Sequence, residues 1–158
     1  MNMPNPTNQT TTSLDREIVS VRVVNASREI VFKAWTDPQH LRLWWGPKGF
    51  TNTFHEFDLK PGGHWRFTMY GPDGADFPNH SVFVEITKPE KLVFDHISGH
   101  VFRVTASFEE ESPNKTKVTF RMLFESLQEF EKAKKYVIEG NEQNFDRLEA
   151  ELKRMISQ

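Results

Sequence analysis

The sequence predicts an α+β fold in which an antiparallel sheet is covered by one long C-terminal helix. Three observations carry this reading: seven segments of strand character, turn signals separating the last six, and a switch to helical periodicity from about residue 127. Strands following one another with no helical stretches between them form an antiparallel meander, not βαβ units.

Residues 17–24, EIVSVRVV, are β-branched and alternate so that Val19, Val21 and Val23 share a face. Ser27 then reads as a helix N-cap, with Ile30, Val31, Ala34 and Trp35 at helical spacing. Asp37 is the next cap and Pro38 suits a first helical position. A second short helix through about Leu43 then turns Leu41 and Trp44 toward the body. Neither helix is long enough to stand alone in water, so both need the sheet.

Strand-like segments follow at about 51–59, 64–69, 81–87, 91–96, 101–110 and 115–124, separated by the turn signals PGG, GPDG, KPE, SGH and ESPNK. In the last two, Phe102, Val104, Ala106 and Phe108 alternate with Arg103 and Thr105, and Val118, Phe120, Met122 and Phe124 alternate with Lys117, Thr119 and Arg121. From 127 to 156, Phe130, Ala133, Val137, Asn141, Phe145, Leu148, Leu152 and Ile156 line one side of a helix that meets those apolar rows. One helix does not fill a strongly curved sheet, so a cavity between them is expected.

At 158 residues the chain fits one domain, which buries roughly two-thirds of its unfolded surface. Residues 1–14 are polar and read as a disordered lead-in, and 15–158 as a single domain. That lead-in lacks the basic and apolar regions of a signal peptide, and a cytoplasmic protein is expected. Fourteen phenylalanines against two tyrosines suit a core or pocket better than a polar binding surface. A net charge of -2 provides no field for a polyphosphate backbone, so no nucleic-acid partner is expected. Without cysteine there is no disulfide, thiolate nucleophile or cysteine-ligated metal. The six histidines are scattered; His96 and His100 flank one turn, but no third ligand is near, so neither metal nor cofactor is expected. Lysines at 132, 134 and 135 are mixed with seven acidic residues along the last helix, which reads as a solvated face and not a membrane-inserting one.

Ala34-Trp35-Thr36-Asp37-Pro38, Trp44-Trp45-Gly46-Pro47, the run from Phe57 through Pro61-Gly62-Gly63 to Phe67, Gly71-Pro72-Asp73-Gly74, Phe83-Val84-Glu85-Ile86 and Pro89-Glu90-Lys91-Leu92-Val93-Phe94 are the distinctive motifs. In this order they resemble the SRPBCC superfamily, START-like proteins of helix-grip fold. Within it they resemble the branch of the activator of heat-shock-protein-90 ATPase homologue C-terminal domain. The resemblance spans about residues 15 to 156. It implies a curved seven-stranded antiparallel sheet with two short helices and a long C-terminal helix over a cavity that binds or transforms apolar molecules. Members commonly carry an aromatic where this chain has Asn141 after Glu139-Gly140, which makes the cavity side of this helix more polar.

For chemistry, Glu56 stands out. An even-length PGG connection sets it opposite Phe67, on the face of Trp65, Phe67 and Met69, where a charge is costly unless paired or wet. Three readings stay open: release to solvent by a bulge or edge position, a polar anchor inside the cavity, or a catalytic acid or base. Glu85 has an ambiguous face; inward beside Glu56 it would form a proton-transfer pair, outward a solvated or salt-bridged group. The candidate ligand-binding residues are Trp44, Trp45, Trp65, Phe67, Met69, Phe102, Val104, Phe120, Met122, Val137, Asn141 and Phe145, each of them either cavity lining or solid core. The tryptophan pair either packs the sheet end or guards the cavity mouth.

The function expected is binding of a small or medium hydrophobic molecule. The alternatives are a cyclase, dehydratase or isomerase acting through poised carboxylates, and regulation of a chaperone ATPase. A chaperone partner is not expected, since the eukaryotic activator has a further large domain for which this chain has no room. Monomer and homodimer are left equally open.

Overall fold

The computed structural model of the protein describes residues 9–13 and 16–157. Eight strands and three helices follow in the order β1 (Gln9–Ser13), β2 (Glu17–Val24), α1 (Arg28–Thr36), α2 (Pro38–Trp44), β3 (Thr51–Phe57), β4 (His64–Tyr70), β5 (Asp76–Thr87), β6 (Lys91–His96), β7 (Phe102–Ser112), β8 (Lys115–Phe124) and α3 (Leu127–Ile156). All strand pairs are antiparallel, in the spatial order β1-β2-β8-β7-β6-β5-β4-β3. The sheet is thus a meander from β3 to β8, closed by β2 returning beside β8.

Seven strands were expected, and the eighth is β1. It lies within the segment read as a disordered lead-in, and residues 9–13 pair along β2, Thr11 opposite Val19. The rest of that segment lies outside the described residues. QTTTS escapes a hydrophobic pattern because it is an edge strand paired through its backbone, to which Thr10 Oγ1 adds a bond to Ser20 Oγ at 2.9 Å.

The short helices form where their caps dictate. The Ser27 hydroxyl accepts from the Ile30 N–H and the Asp37 carboxylate from the Gln39 N–H at 3.0 Å, with Pro38 at the first position of α2. Ser126 caps α3 by accepting from the Glu129 N–H at 3.1 Å. Phe130, Ala133, Asn141, Asn144, Phe145, Leu148, Glu151 and Leu152 form its buried side, whereas Ile156 at its end is exposed.

On β2 the core face carries Ile18, Ser20 and Val24, paired with Met122, Phe120 and Thr116 of β8; the Val19, Val21 and Val23 row lies on the other face. Arg22 also sits on the core face, where it donates to Glu142, Asp146 and Glu149 of α3 at 2.9, 2.6 and 3.0 Å and lies over the Phe145 ring. Burial works to lower its pKa, but its hydrogen bonds to the three carboxylates outweigh that and raise it.

Trp35 organises the end of the core under α1 and α2. Its ring meets Trp44, Trp45, Phe108 and Phe120 at centroid distances of 4.9 to 5.8 Å, mostly edge to face. Truncating so large a buried ring to alanine costs about 3–5 kcal/mol.

Candidate functional site

Two β-bulges decide which side chains face α3. Pairing of β3 with β4 runs Phe57 to Trp65 and Glu56 to Arg66, then slips so that Phe54 meets Phe67. The extra residue, His55, brings Phe54 and Phe57 onto the same inner face, their rings stacked at 5.8 Å, while Glu56 alternates outward beside the inward Phe57. Glu56 is exposed and accepts from Arg66 at 3.0 Å. The expected even-length connection, with Glu56 opposite Phe67 inside, is therefore corrected: Phe57 pairs with Trp65, which sets Glu56 opposite Arg66 and outward, and the bulge at His55 shifts only the residues before it. A second slip between Phe83 and Glu85 does the same on β5, sending Phe83 and Ile86 into the core. Glu85 accepts from Thr87 Oγ1 at 2.8 Å and lies 3.5 Å from Lys91 Nζ. Its pKa is lowered, chiefly by the Thr87 hydrogen bond. The two carboxylates do not meet, and neither lines the cavity.

That cavity, of about 240 Å³, lies between the sheet and the middle of α3. From β4 it is lined by Trp65, Phe67 and Met69, and from β6, β7 and β8 by Phe94, His96, Phe102 and Met122. Helix α3 contributes Val137, Asn141 and Asn144, and the loop after α2 contributes Trp45, Gly46 and Pro47. Asn79 and Ser81 of β5 complete the wall.

Of the candidate binding residues, Trp45, Trp65, Phe67, Met69, Phe102, Met122, Val137 and Asn141 are thus brought together around one space. Trp44, Val104, Phe120 and Phe145 are not in its wall. Trp44 is buried under α1, its Nε1 donating to the Ala34 carbonyl oxygen at 2.9 Å. Val104, Phe120 and Phe145 are solid core. The physical reason is Trp35, which fills the sheet end beneath α1 and α2 and confines free space to the other end. The tryptophan pair divides accordingly: Trp44 packs, and Trp45 reaches from the Trp35 cluster to the cavity wall, 5.6 Å from the Trp65 ring.

The loop bearing Trp45 is stitched to α3. Asn144 Oδ1 accepts from the Gly46 N–H at 2.9 Å, Gln143 Oε1 from the Lys48 N–H at 3.1 Å, and Arg147 donates to the carbonyl oxygens of Gly46, Pro47 and Leu43.

Polar wall groups are mostly engaged with one another. Asn141 Nδ2 donates to Ser20 Oγ at 3.1 Å and contacts Met122 Sδ at 3.6 Å, so Asn141 ties α3 to β2 and β8. His96 lies flat on Phe102, centroids 4.6 Å apart, with Nδ1 2.7 Å from the His100 carbonyl oxygen and Nε2 2.6 Å from Asn79 Oδ1. Both of those neighbours are acceptors, which suits an imidazolium, yet burial pushes the His96 pKa below its ordinary 6.5. Asn79 Nδ2 donates to the Phe77 carbonyl oxygen at 2.8 Å, which fixes its Oδ1 toward His96, so a neutral ring donates to one of these two acceptors and not to both. Ser81 Oγ and Trp65 Nε1 differ from the rest: both are buried and neither has a hydrogen-bond partner among the described residues.

Sequence reasoning missed Asn79, Ser81, Phe94, His96 and Asn144 as cavity residues. A signal was present for the first two, since Asn79, Ser81 and Phe83 share a parity on β5 and face Phe67, Trp65 and the core. Among the described residues no group of three or more histidine or acidic side chains is placed to hold a metal ion. No helix among them is long and apolar enough to cross a membrane.

Residues 25–153 match the sequence model of the family described as activator of Hsp90 ATPase homolog 1-like protein. The chain belongs to this family. Its helix-grip architecture recurs in a crystal structure from Nitrosomonas europaea, at 21% identity and TM-score 0.84, covering 93% of this chain and 100% of that one. A solution structure from Arthrobacter aurescens is 26% identical, with TM-score 0.84 and coverage of 92% and 91%. The AHSA1 protein from Silicibacter pomeroyi has 17% identity, TM-score 0.72 and coverage of 88% and 99%. No curated protein matches the chain significantly.

Proposed function

We propose that this member of the family binds a small, predominantly apolar molecule in the space between α3 and the sheet. The observation that carries the reading is the cavity of about 240 Å³ walled by Trp45, Trp65, Phe67, Met69, Phe94 and Phe102. An apolar cavity of roughly 150 Å³ accepts benzene, so this one suits a substituted single ring or a short branched chain. Drug-sized ligands ask for larger pockets, about 300 Å³ and upward. Cyclase or isomerase chemistry through Glu56 and Glu85 is not favoured by their positions, because both carboxylates lie outside the wall.

Quenching of tryptophan fluorescence by small ring compounds such as toluene or indole tests the reading, since Trp45 and Trp65 stand in the wall. Met122→Trp fills the same space from β8 and is expected to weaken binding by about tenfold or more, as loss of a buried apolar contact of this size implies. Failure of every ring compound to bind, or binding that ignores Met122→Trp, would refute it.

A further inference from the structure

We infer that the ligand is a neutral molecule carrying one hydrogen-bond-accepting oxygen of carbonyl type, received by the Ser81 hydroxyl and the Trp65 indole N–H. This rests on the binding function proposed above and narrows the ligand class.

Among the described residues the cavity wall contains no lysine, arginine, aspartate or glutamate. A carboxylate or ammonium group placed there would be desolvated with no partner of opposite charge, at a cost of several kcal/mol of binding free energy per ion. His96 is the titratable side chain in the wall, and burial favours its neutral form. These two observations select an uncharged ligand.

The hydrogen-bonding capacity of the wall selects an acceptor. Asn79 and His96 bond to each other, Asn141 donates to Ser20, and Asn144 accepts from Gly46. Against these, Ser81 is 0% and Trp65 1% exposed, and Ser81 Oγ and Trp65 Nε1 have no hydrogen-bond partner among the described residues. Leaving buried polar groups unmet is unfavourable, and native structures retain few of them without a reason. Trp65 and Ser81 are directly paired across β4 and β5, so they leave the same face of the sheet side by side. An indole nitrogen can donate only, and a hydroxyl can donate as well as accept. The group both can serve is an acceptor oxygen, while the surrounding aromatic rings take up the apolar remainder of the ligand.

Acetophenone and isopropylbenzene are near-isosteric, differing in whether an oxygen or a methyl group stands beside the ring. Their dissociation constants are to be measured by NMR titration on the full chain and on Ser81→Ala, with benzoate as a charged third probe at neutral pH. The ratio of acetophenone to isopropylbenzene affinity is expected to fall about five- to tenfold in Ser81→Ala, the size of one net hydrogen bond. In the unaltered protein the Trp65 indole N–H resonance is expected to move downfield with acetophenone and not with isopropylbenzene; this readout needs no variant. A ratio unchanged by Ser81→Ala together with an unmoved indole resonance would overturn the acceptor assignment while leaving apolar binding intact. Benzoate binding as tightly as acetophenone would overturn the neutral class. If none of the three binds, the binding function itself fails and the inference with it.

Discussion

Arg147 donates from Nη1 to the carbonyl oxygen of Gly46 at 2.9 Å, so a helix side chain holds the backbone of the Trp-Trp-Gly-Pro loop. The same guanidinium reaches the carbonyl oxygens of Pro47 at 2.9 Å and Leu43 at 3.0 Å, and no carboxylate among the described residues pairs with it. Burial lowers its pKa from the ordinary guanidinium value, but a guanidinium stays charged at any working pH. Its planar fork satisfies several carbonyls at once, which a lysine ammonium cannot reproduce. Arg147→Met is therefore expected to destabilise the protein by about 2 kcal/mol, as loss of charge-assisted hydrogen bonds implies. Arg147→Lys should recover only part of that. Hydrogen exchange at the Gly46 and Lys48 amides, bonded to Asn144 and Gln143, should quicken in both variants. Unchanged protection would show that Asn144 and Gln143 hold the loop without Arg147.

His96 gives stability a pH dependence. Burial is the largest influence lowering its pKa, the neighbouring charges of His100 and His80 act the same way, and the hydrogen bond to the His100 carbonyl opposes them. His80 is also lowered, by desolvation first and then by Arg66 and His64. The unfolded chain thus binds protons near pH 6.5 that the folded protein resists, so their contribution is whole above that pH and is lost as pH falls below it. Glu85 and Glu129, held below the usual carboxylate value by Thr87 and His100 respectively, lose their contribution only at more acidic pH, below about 4.5. Urea midpoints measured from about pH 7 down to pH 5 should decline, and His96→Gln should flatten that decline. An equal slope in the variant would assign it elsewhere.

Much of this arrangement was legible from residue patterns, for reasons that differ by element. Ser27, Asp37-Pro38 and the turn residues specify local backbone, and local rules sufficed for α1, α2 and the meander from β3 to β8. The long helix was readable because its apolar positions recur over thirty residues. What escaped reading was set by non-local geometry. The connection through Pro61-Gly62-Gly63 pairs Phe57 and not Asp58 with Trp65, a slip of one residue that reverses the facing of Glu56 with no change in sequence pattern, and the bulge at His55 then returns Phe54 to the inner face. β5 runs from Asp76, five residues before the expected start, through a proline that argues against a ladder position; Asn79 and its bond to His96 were hidden with it. The division of aromatics between core and cavity depends on where Trp35 comes to rest, which no periodicity encodes.

Glu56 gives a prediction of no effect. It pairs with Arg66 on the outer face, both side chains about half exposed, and such pairs contribute about 0–1 kcal/mol. Glu56→Gln is expected to leave ring-compound affinity unchanged and the urea midpoint nearly so. A loss of binding greater than threefold (about 0.6 kcal/mol) would bring this residue back into the site.

Gly46 and Gly62 separate backbone strain from wall contact. Both have positive φ, 105° and 83°, so an alanine at either is strained by about 1 kcal/mol. A Cβ at Gly62 meets nothing within 4 Å, whereas at Gly46 it would come 3.0 Å from Met69 Cε and 3.3 Å from Phe50 Cβ. Met69 is a cavity residue with a flexible thioether that must give by a few tenths of an ångström, and the open space beside it is the cavity. Gly62→Ala should therefore lower stability without altering ligand affinity, and Gly46→Ala should lower both. Thermal unfolding together with toluene titration on the two variants reads the difference. Equal affinities would mean that Met69 yields away from the cavity, and that the glycine between Trp45 and Pro47 serves the turn alone.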